Sequence, residues 1–150
     1  MADLLRVDDT DRKILAALIE DARSTYDEIG RRASLSAPAV KRRVDRLRRQ
    51  GVLRGFTAVV DPAALGASTE ALIELFYAPG IGLDAVRDSL RPLPEVVEAW
   101  SITGDADCIV RVRARDPQDL ERVIMELQRE ASVVRTRSQI VMSRLIDRRD

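Results

Sequence analysis

The sequence predicts an α+β protein in two modules: a helical N-terminal one, then one built in the order β-α-β-β-α-β. Three observations carry this. In the first third, apolar residues recur at helical spacing, and each run opens on a residue suited to capping. From residue 69 onward, four extended segments and two helical ones alternate, punctuated by proline and glycine. Charge is also divided: residues 1–54 hold 13 basic and 9 acidic side chains, residues 55–150 hold 12 and 16. A basic head on an acidic remainder implies different partners for the two parts. The expected division is 1–54, a connecting stretch 55–68, and 69–150.

The first helix opens with Asp8 as N-cap and Asp11 near its positive end, and runs to about Asp21. Ile14, Leu15, Leu18 and Ile19 form its apolar stripe. Thr25 and Glu28 make a capping box for a short second helix that reaches about Ala33 and buries Ile29 and Ala33. Ser34-Leu35-Ser36 leaves room only for a tight turn. Ser36 then caps a third helix with Pro38 in its first turn, and Gly51 ends it. A short helix, a tight turn and a longer helix make a helix-turn-helix. Beyond it, Val52-Leu53 and residues 56–60 read as extended, either a small wing or a strand leaving the module.

The third helix has two unlike sides. Val40, Val44 and Leu47 share the buried stripe, and Pro38, Ala39, Arg42, Arg46 and Arg49 lie opposite, flanked by Lys41, Arg43 and Arg48. From Arg31 to Arg54 there are nine basic residues and one acid, Asp45. Such a face attracts phosphates, and arginine also reads guanine edges. The expected DNA contacts are Lys41, Arg42, Arg43, Arg46 and Arg49, the small residues Pro38 and Ala39, and Ser36 with the Ala37 backbone as a phosphate anchor.

In the second module, strands are expected at 69–78, 96–103, 108–114 and from Arg135 to about Ile146. Helices are expected at 83–91, with Leu83, Val86 and Leu90 on one side, and from Pro117, with Leu120, Val123, Ile124 and Leu127 in register. Val96, Trp100 and Ile102 should share one face of the second strand. In the third, Cys108, Val110, Val112 and Ala114 should oppose Ile109, Arg111 and Arg113. This order gives a ferredoxin-like sheet with both helices on one face. The other face should expose Ile140, Met142 and Ile146, or their alternates Val141 and Leu145, so a homodimer is expected to cover it.

Composition narrows the chemistry. There is no histidine and one cysteine, Cys108, which excludes an internal disulfide and a cysteine metal cluster and removes the commonest general base. No cofactor is expected. Cys108, on a strand facing apolar neighbours, reads as packing rather than a redox sensor. No apolar run suits a membrane span and no signal peptide opens the chain, so a cytoplasmic, non-membrane protein is expected.

Several short pieces together resemble the Lrp/AsnC family of leucine-responsive, or feast/famine, transcriptional regulators. They are Asp8-x-x-Asp11-x-x-Ile14-Leu15, Leu35-Ser36-x-Pro38, Arg43-x-x-x-Leu47-x-x-x-Gly51-Val52, Gly55-Phe56-Thr57-Ala58, Asp61-Pro62, Leu65-Gly66 and Ser101-Ile102-Thr103-Gly104-Asp105-Ala106-Asp107. The resemblance implies a non-enzymatic regulator that binds double-stranded DNA, pairs through its second module and assembles to octamers. It also implies an amino-acid effector at Thr103, Gly104, Asp105, Ala106 and Asp107, with Thr136 and Ser138 as a second wall. Many relatives have an aromatic residue where this chain has Ala106. The turn also suits the chemistry, because glycine bares backbone N–H groups to a carboxylate and aspartate holds an ammonium group. By residues alone it is equally a plain hairpin turn. Competing readings are an architectural DNA-wrapping protein without an effector, and a tetrapyrrole decarboxylase of similar fold, which the lack of histidine disfavours.

Overall fold

Capping sets the helices of the N-terminal unit. The structure, a computed structural model, describes residues 7–146 and divides into two compact units that part between Val59 and Val60, inside the stretch expected to connect the modules. In the first unit, α1 spans Asp9–Glu20, α2 Tyr26–Ala33 and α3 Ala37–Arg49. Asp8 and Asp11 form a reciprocal capping box on α1, with backbone-to-carboxylate bonds of 2.7 and 3.1 Å. Thr25 and Glu28 do the same for α2. Ser36 stands at the N-cap of α3, yet its side chain makes no cap bond, contrary to expectation. Pro38 has no N–H to offer, and the Ala39 N–H already donates to the Ser36 carbonyl at 2.9 Å.

The core of this unit is Ile14, Ala17, Leu18, Ile29, Ala33, Val40 and Val44, with Leu35 and Leu53 packed at its border. Leu47 is also fully buried. Ile19, expected on the buried stripe, is 82% exposed; Ala17 takes the inward place. Neither a wing nor a strand follows α3. Gly51, at φ +71°, reverses the chain, and the N–H groups of Gly51 and Val52 return to the carbonyls of Arg48 and Leu47, both at 3.0 Å. This is a Schellman closure, and it tucks Leu53 against the helices instead of extending it.

The second unit opens with a 3-10 turn at Pro62–Leu65, capped by Asp61. It continues with β1 Thr69–Tyr77, α4 Leu83–Leu90, β2 Val96–Ser101, β3 Cys108–Ala114, α5 Pro117–Arg129 and β4 Val133–Ile140. The sheet is antiparallel in the order β2-β3-β1-β4, as a ferredoxin-like module requires. One face packs Ala71, Ile73, Leu75, Val110 and Val112 against Val86 and Leu90 of α4 and Leu120, Val123 and Leu127 of α5. Cys108 lies in this core, 3% exposed. Leu83, expected beside Val86 and Leu90, is exposed at the rim.

Two expectations about the sheet are corrected. A register shift between Val96 and Glu98 inserts one residue, so Val96 pairs with core residue Val112 while Trp100 pairs with Ile109 on the opposite face. The helix-free face is also not the apolar one expected. Ile140 pairs with Ala71 and so lies on the helix side, while Met142, Leu145 and Ile146 follow the end of β4. Of the alternates, Val141 alone extends the pairing, through its N–H to the Glu70 carbonyl at 2.8 Å, which sets it half-buried opposite Glu70 on the helix-free face as the alternate reading expects. The helix-free face carries ion pairs instead. Arg111 meets Glu98 at 2.7 Å and Glu70 at 3.5 Å, Arg113 meets Glu70 at 3.2 Å, and Arg137 meets Glu74 at 3.0 Å. The Arg135 guanidinium stacks 3.8 Å above the Phe76 ring. Leu72, Ile109 and Val141 are half-buried apolar residues among them, and Trp100 stands exposed beside Ile109.

Gly30 controls the closure between α2 and α3. A Cβ there would stand 2.4 Å from the Leu35 carbonyl oxygen, a backbone atom that cannot swing away. Gly30→Ala is therefore expected to destabilise the first unit by roughly 1–3 kcal/mol, by overpacking a tight turn. Chemical denaturation followed by helical ellipticity checks it, and an unchanged midpoint would mean that the turn relaxes freely.

Candidate nucleic-acid interface and effector turn

The outward side of α3 is less uniform than its sequence suggests. Arg42, Arg48 and Arg49 are exposed, and among the described residues they form no ion pair. Lys41 is exposed but bound to Asp45 at 2.9 Å, one turn along the same helix. Arg43 and Arg46 are half-buried and turned toward α1. There Arg43 Nη1 donates to Asp8 Oδ2 at 2.6 Å and to Asp11 Oδ1 at 2.9 Å, while Arg46 Nη2 donates to Asp11 Oδ2. Asp11 has no exposure at all. A buried carboxylate needs cationic partners, and α3 supplies both. Arg46 thus leaves the free side that it was expected to share with Arg42 and Arg49.

The sequence held a signal for this. Asp11, Ile14 and Leu18 stand at i, i+3 and i+7, so Asp11 lies on the buried stripe of α1. An acid there calls for a base from the helix it faces. The guanidinium of Arg43, ahead of the Asp11 backbone N–H, holds the Asp8 carboxyl down at about 2. The same two aspartates raise Arg43 above its ordinary value.

At the entrance of α3, Ser36, Ala37 and Pro38 border an open hollow with Gly30, Arg31 and Leu35. Ser36 and Pro38 are exposed, and Ala37 and Ala39 are half-exposed. With no cap bond to make, the Ser36 hydroxyl is available at the positive end of a 13-residue helix.

In the second unit, Thr103, Gly104 and Asp105 are exposed at the β2–β3 turn, and Gly104 adopts φ +125°. Ala106 is buried. Asp107 ties the turn to β1, because its Oδ2 accepts the Tyr77 N–H at 2.8 Å and its own N–H donates to the Leu75 carbonyl at 3.1 Å. Thr136 pairs with Leu75 and Ser138 with Ile73, across β1 from the turn. Thr136 stands at the turn's end of the sheet, where its hydroxyl accepts a bond from Gln128 at 2.8 Å, and Ser138 is farther along. The turn and the second wall are thus separated by a strand within this chain. Sequence reasoning missed a groove of about 660 Å³ between α4 and the edge strand β2; Leu83, Val86, Leu90, Val97, Trp100 and Ile102 line it. The edge position of β2 and the exposure of Leu83 are set by tertiary pairing, so no local signal announces the groove. Among the described residues, no group of acidic or thiol side chains is arranged to hold a metal, and no helix is long and apolar enough to cross a membrane.

A helix-turn-helix unit with a basic outer side, followed by a ferredoxin-like unit with an exposed Gly-Asp turn, defines a two-part DNA-binding regulator. Comparison with known proteins agrees. The AsnC-type helix-turn-helix domain matches residues 7–48 and the Lrp/AsnC ligand binding domain matches residues 70–150. The HTH-type transcriptional regulator Rv2324 of Mycobacterium tuberculosis is 50% identical over 143 residues, covering 95% of this chain and 97% of its own. A feast or famine regulatory protein of M. tuberculosis, solved with L-methionine, superposes with a TM-score of 0.88 at 31% identity, covering 95% of this chain and 96% of its own. A transcriptional regulator of Neisseria meningitidis, also solved with L-methionine, superposes with a TM-score of 0.88 at 25% identity, covering 95% and 94%. The chain belongs to the Lrp/AsnC family of helix-turn-helix transcriptional regulators.

The lowered Asp8 carboxyl sets an acid dependence. Its folded value lies below its ordinary value of 3.8, so its contribution is fully present above about pH 4 and is lost as pH falls toward 2. Asp8→Asn retains a capping side chain but no titrating charge. The wild-type denaturation midpoint should fall more steeply than the variant's between about pH 4 and 2. Parallel curves would mean that the Arg43 contact does not persist in solution.

Proposed function

We propose that the protein binds particular DNA sequences through α3 and that an amino acid modulates this binding or the assembly that presents it. The observation that carries the first part is the division of the α3 cations. Arg43 and Arg46 are held against α1, while Arg42 and Arg49 stand exposed on the side opposite Val40, Val44 and Leu47. Arg42 and Arg49 are the side chains best placed to reach base edges or phosphates, with Lys41 beside them. Ser36 and the Ala37 backbone suit a phosphate at the helix entrance, where Pro38 and Ala39 permit close approach. Arg42→Ala and Arg49→Ala should each weaken specific binding by roughly 1–3 kcal/mol if they contact bases. Gel shifts against a duplex selected by the wild type from a random library measure this. Undiminished affinity in both variants would remove α3 as the reader.

For the effector, support comes from the exposed turn and from two relatives solved with L-methionine. Asp105 is the carboxylate available for an ammonium group, since Asp107 already holds the Tyr77 N–H. Thr103 and Gly104 offer backbone beside it. Ala106 contributes shape rather than a side-chain contact, and Thr136 and Ser138 would close the pocket only from a neighbouring copy. The sheet face without helices supports a homodimer, and a ring of dimers forming an octamer would bring two turns together. Its charges are paired within the chain, which lowers the penalty of covering it. Calorimetry with the twenty amino acids should find at least one that binds below about millimolar and shifts the sedimentation profile, with a coupling of about 1–3 kcal/mol. Asp105→Ala is the suitable control, because a side chain at Gly104 would strain its φ of +125°. Silence from all twenty would leave the turn a hairpin and nothing more.

A further inference from the structure

We propose that Asp11 is a positioning residue for DNA reading. It would fix the rotation of α3 about its own axis through Arg43 and Arg46, so that those two arginines tune specificity without touching DNA. The inference rests on the reading of α3 as the DNA-contacting helix.

The apolar contacts of α3 come from Val40, Val44 and Leu47, a narrow stripe along one side. Apolar burial has no direction of its own, so a stripe of this kind resists separation of helices far better than rolling. A reading helix needs more than that. Functional groups must be held to within about 0.5 Å and 10–20°, and an arginine head far from the helix axis magnifies any roll. The Asp11 carboxylate supplies the missing constraint.

Each oxygen of Asp11 is committed to a different arginine, and the two arginines are three residues apart on α3. Oδ1 accepts from Arg43 at 2.9 Å; Oδ2 accepts from Arg46 and also from the Asp8 N–H at 3.1 Å. Asp8 grips Arg43 a second time at 2.6 Å. The capping box fixes the carboxylates relative to the α1 backbone, so the clamp has a rigid base. The guanidinium of Arg46 is drawn inward far enough that its Nε is buried without an acceptor. That is the geometry of a side chain committed to its own fold rather than held out for a phosphate. A roll of α3 in either direction would pull one arginine off a carboxylate that has no water to replace it.

The test separates positioning from both direct contact and plain stability. Arg46→Gln, Asp11→Asn and Arg42→Ala are compared with the wild type at a temperature where ellipticity shows each fully folded. The probes are the duplex that the wild type selects from a random library and bulk genomic DNA, across a salt series. For Arg46→Gln and Asp11→Asn we expect affinity for the selected duplex to fall at least tenfold. Their affinity for bulk DNA and their salt slope should stay at the wild-type level. For Arg42→Ala, which removes a cation placed to touch the duplex directly, affinity for the selected duplex should also fall and the slope should drop by about 1. If Asp11→Asn fails to fold, Arg46→Lys takes its place, keeping the charge and losing the fork; the same loss of preference is expected. A reduced salt slope in Arg46→Gln, with both DNAs bound more weakly, would show a phosphate contact and overturn the proposal. An unchanged preference in the folded variants would overturn it as well. If Arg42→Ala and Arg49→Ala leave every affinity untouched, the failure lies one step earlier, in α3 as reader, and positioning falls with it.

Discussion

A carboxylate sealed from water, Asp11, shapes the DNA-binding unit. An ionised group in such a place is tolerated only when its oxygens are fully met, and here α1 and α3 meet them together. The consequence reaches the surface. Two of the cations on α3 turn inward, and the exposed positive charge narrows to Arg42, Arg48 and Arg49 with the paired Lys41 beside them. Capping and burial thus decide which basic residues remain for a partner.

The two ends of α3 are set by backbone constraints rather than by charge. At its entrance, Gly30 lets the Leu35 carbonyl pass where no Cβ could stand, while Pro38 leaves Ser36 without a cap to make. At its exit, the Gly51 reversal folds Leu53 onto the core. The helix is therefore closed at both ends and tied to α1 through Asp8 and Asp11. In the second unit, Asp107 plays a comparable part. By accepting the Tyr77 N–H it pins the Gly-Asp turn to β1 and leaves Thr103, Gly104 and Asp105 projecting.

Much of this is legible in the chain. Helix starts are readable because Asp8 and Thr25 cap by short local bonds, and β3 is readable because Cys108 through Ala114 alternate without interruption. Less is legible where distant residues decide. The register shift in β2 separates Val96 from Trp100, and nothing local announces it. The end of β4 at Ile140 depends on its pairing with Ala71 rather than on its own composition, so periodicity alone cannot choose between Ile140 and Val141 for the helix-free face, and it carries the strand past its end. Arg46 groups with Arg42 on a helical wheel because the wheel records where a side chain starts, not where a long one reaches. Asp11 on the α1 stripe is the clue, visible once an acid at a buried position is treated as a demand for a base.

The central proposal is that this unit reads DNA sequence rather than merely coating DNA. Phosphate attraction alone would give similar affinity for every duplex, while base contacts from an oriented helix give preference. The most direct measurement is footprinting on the region upstream of the protein's own coding sequence, with bulk DNA as competitor at physiological salt. Sequence reading by α3 predicts a bounded protected site that survives about a thousandfold excess of competitor. Protection that spreads without boundary, or that vanishes at equal competitor mass, would contradict it and point to a protein that wraps DNA without reading it.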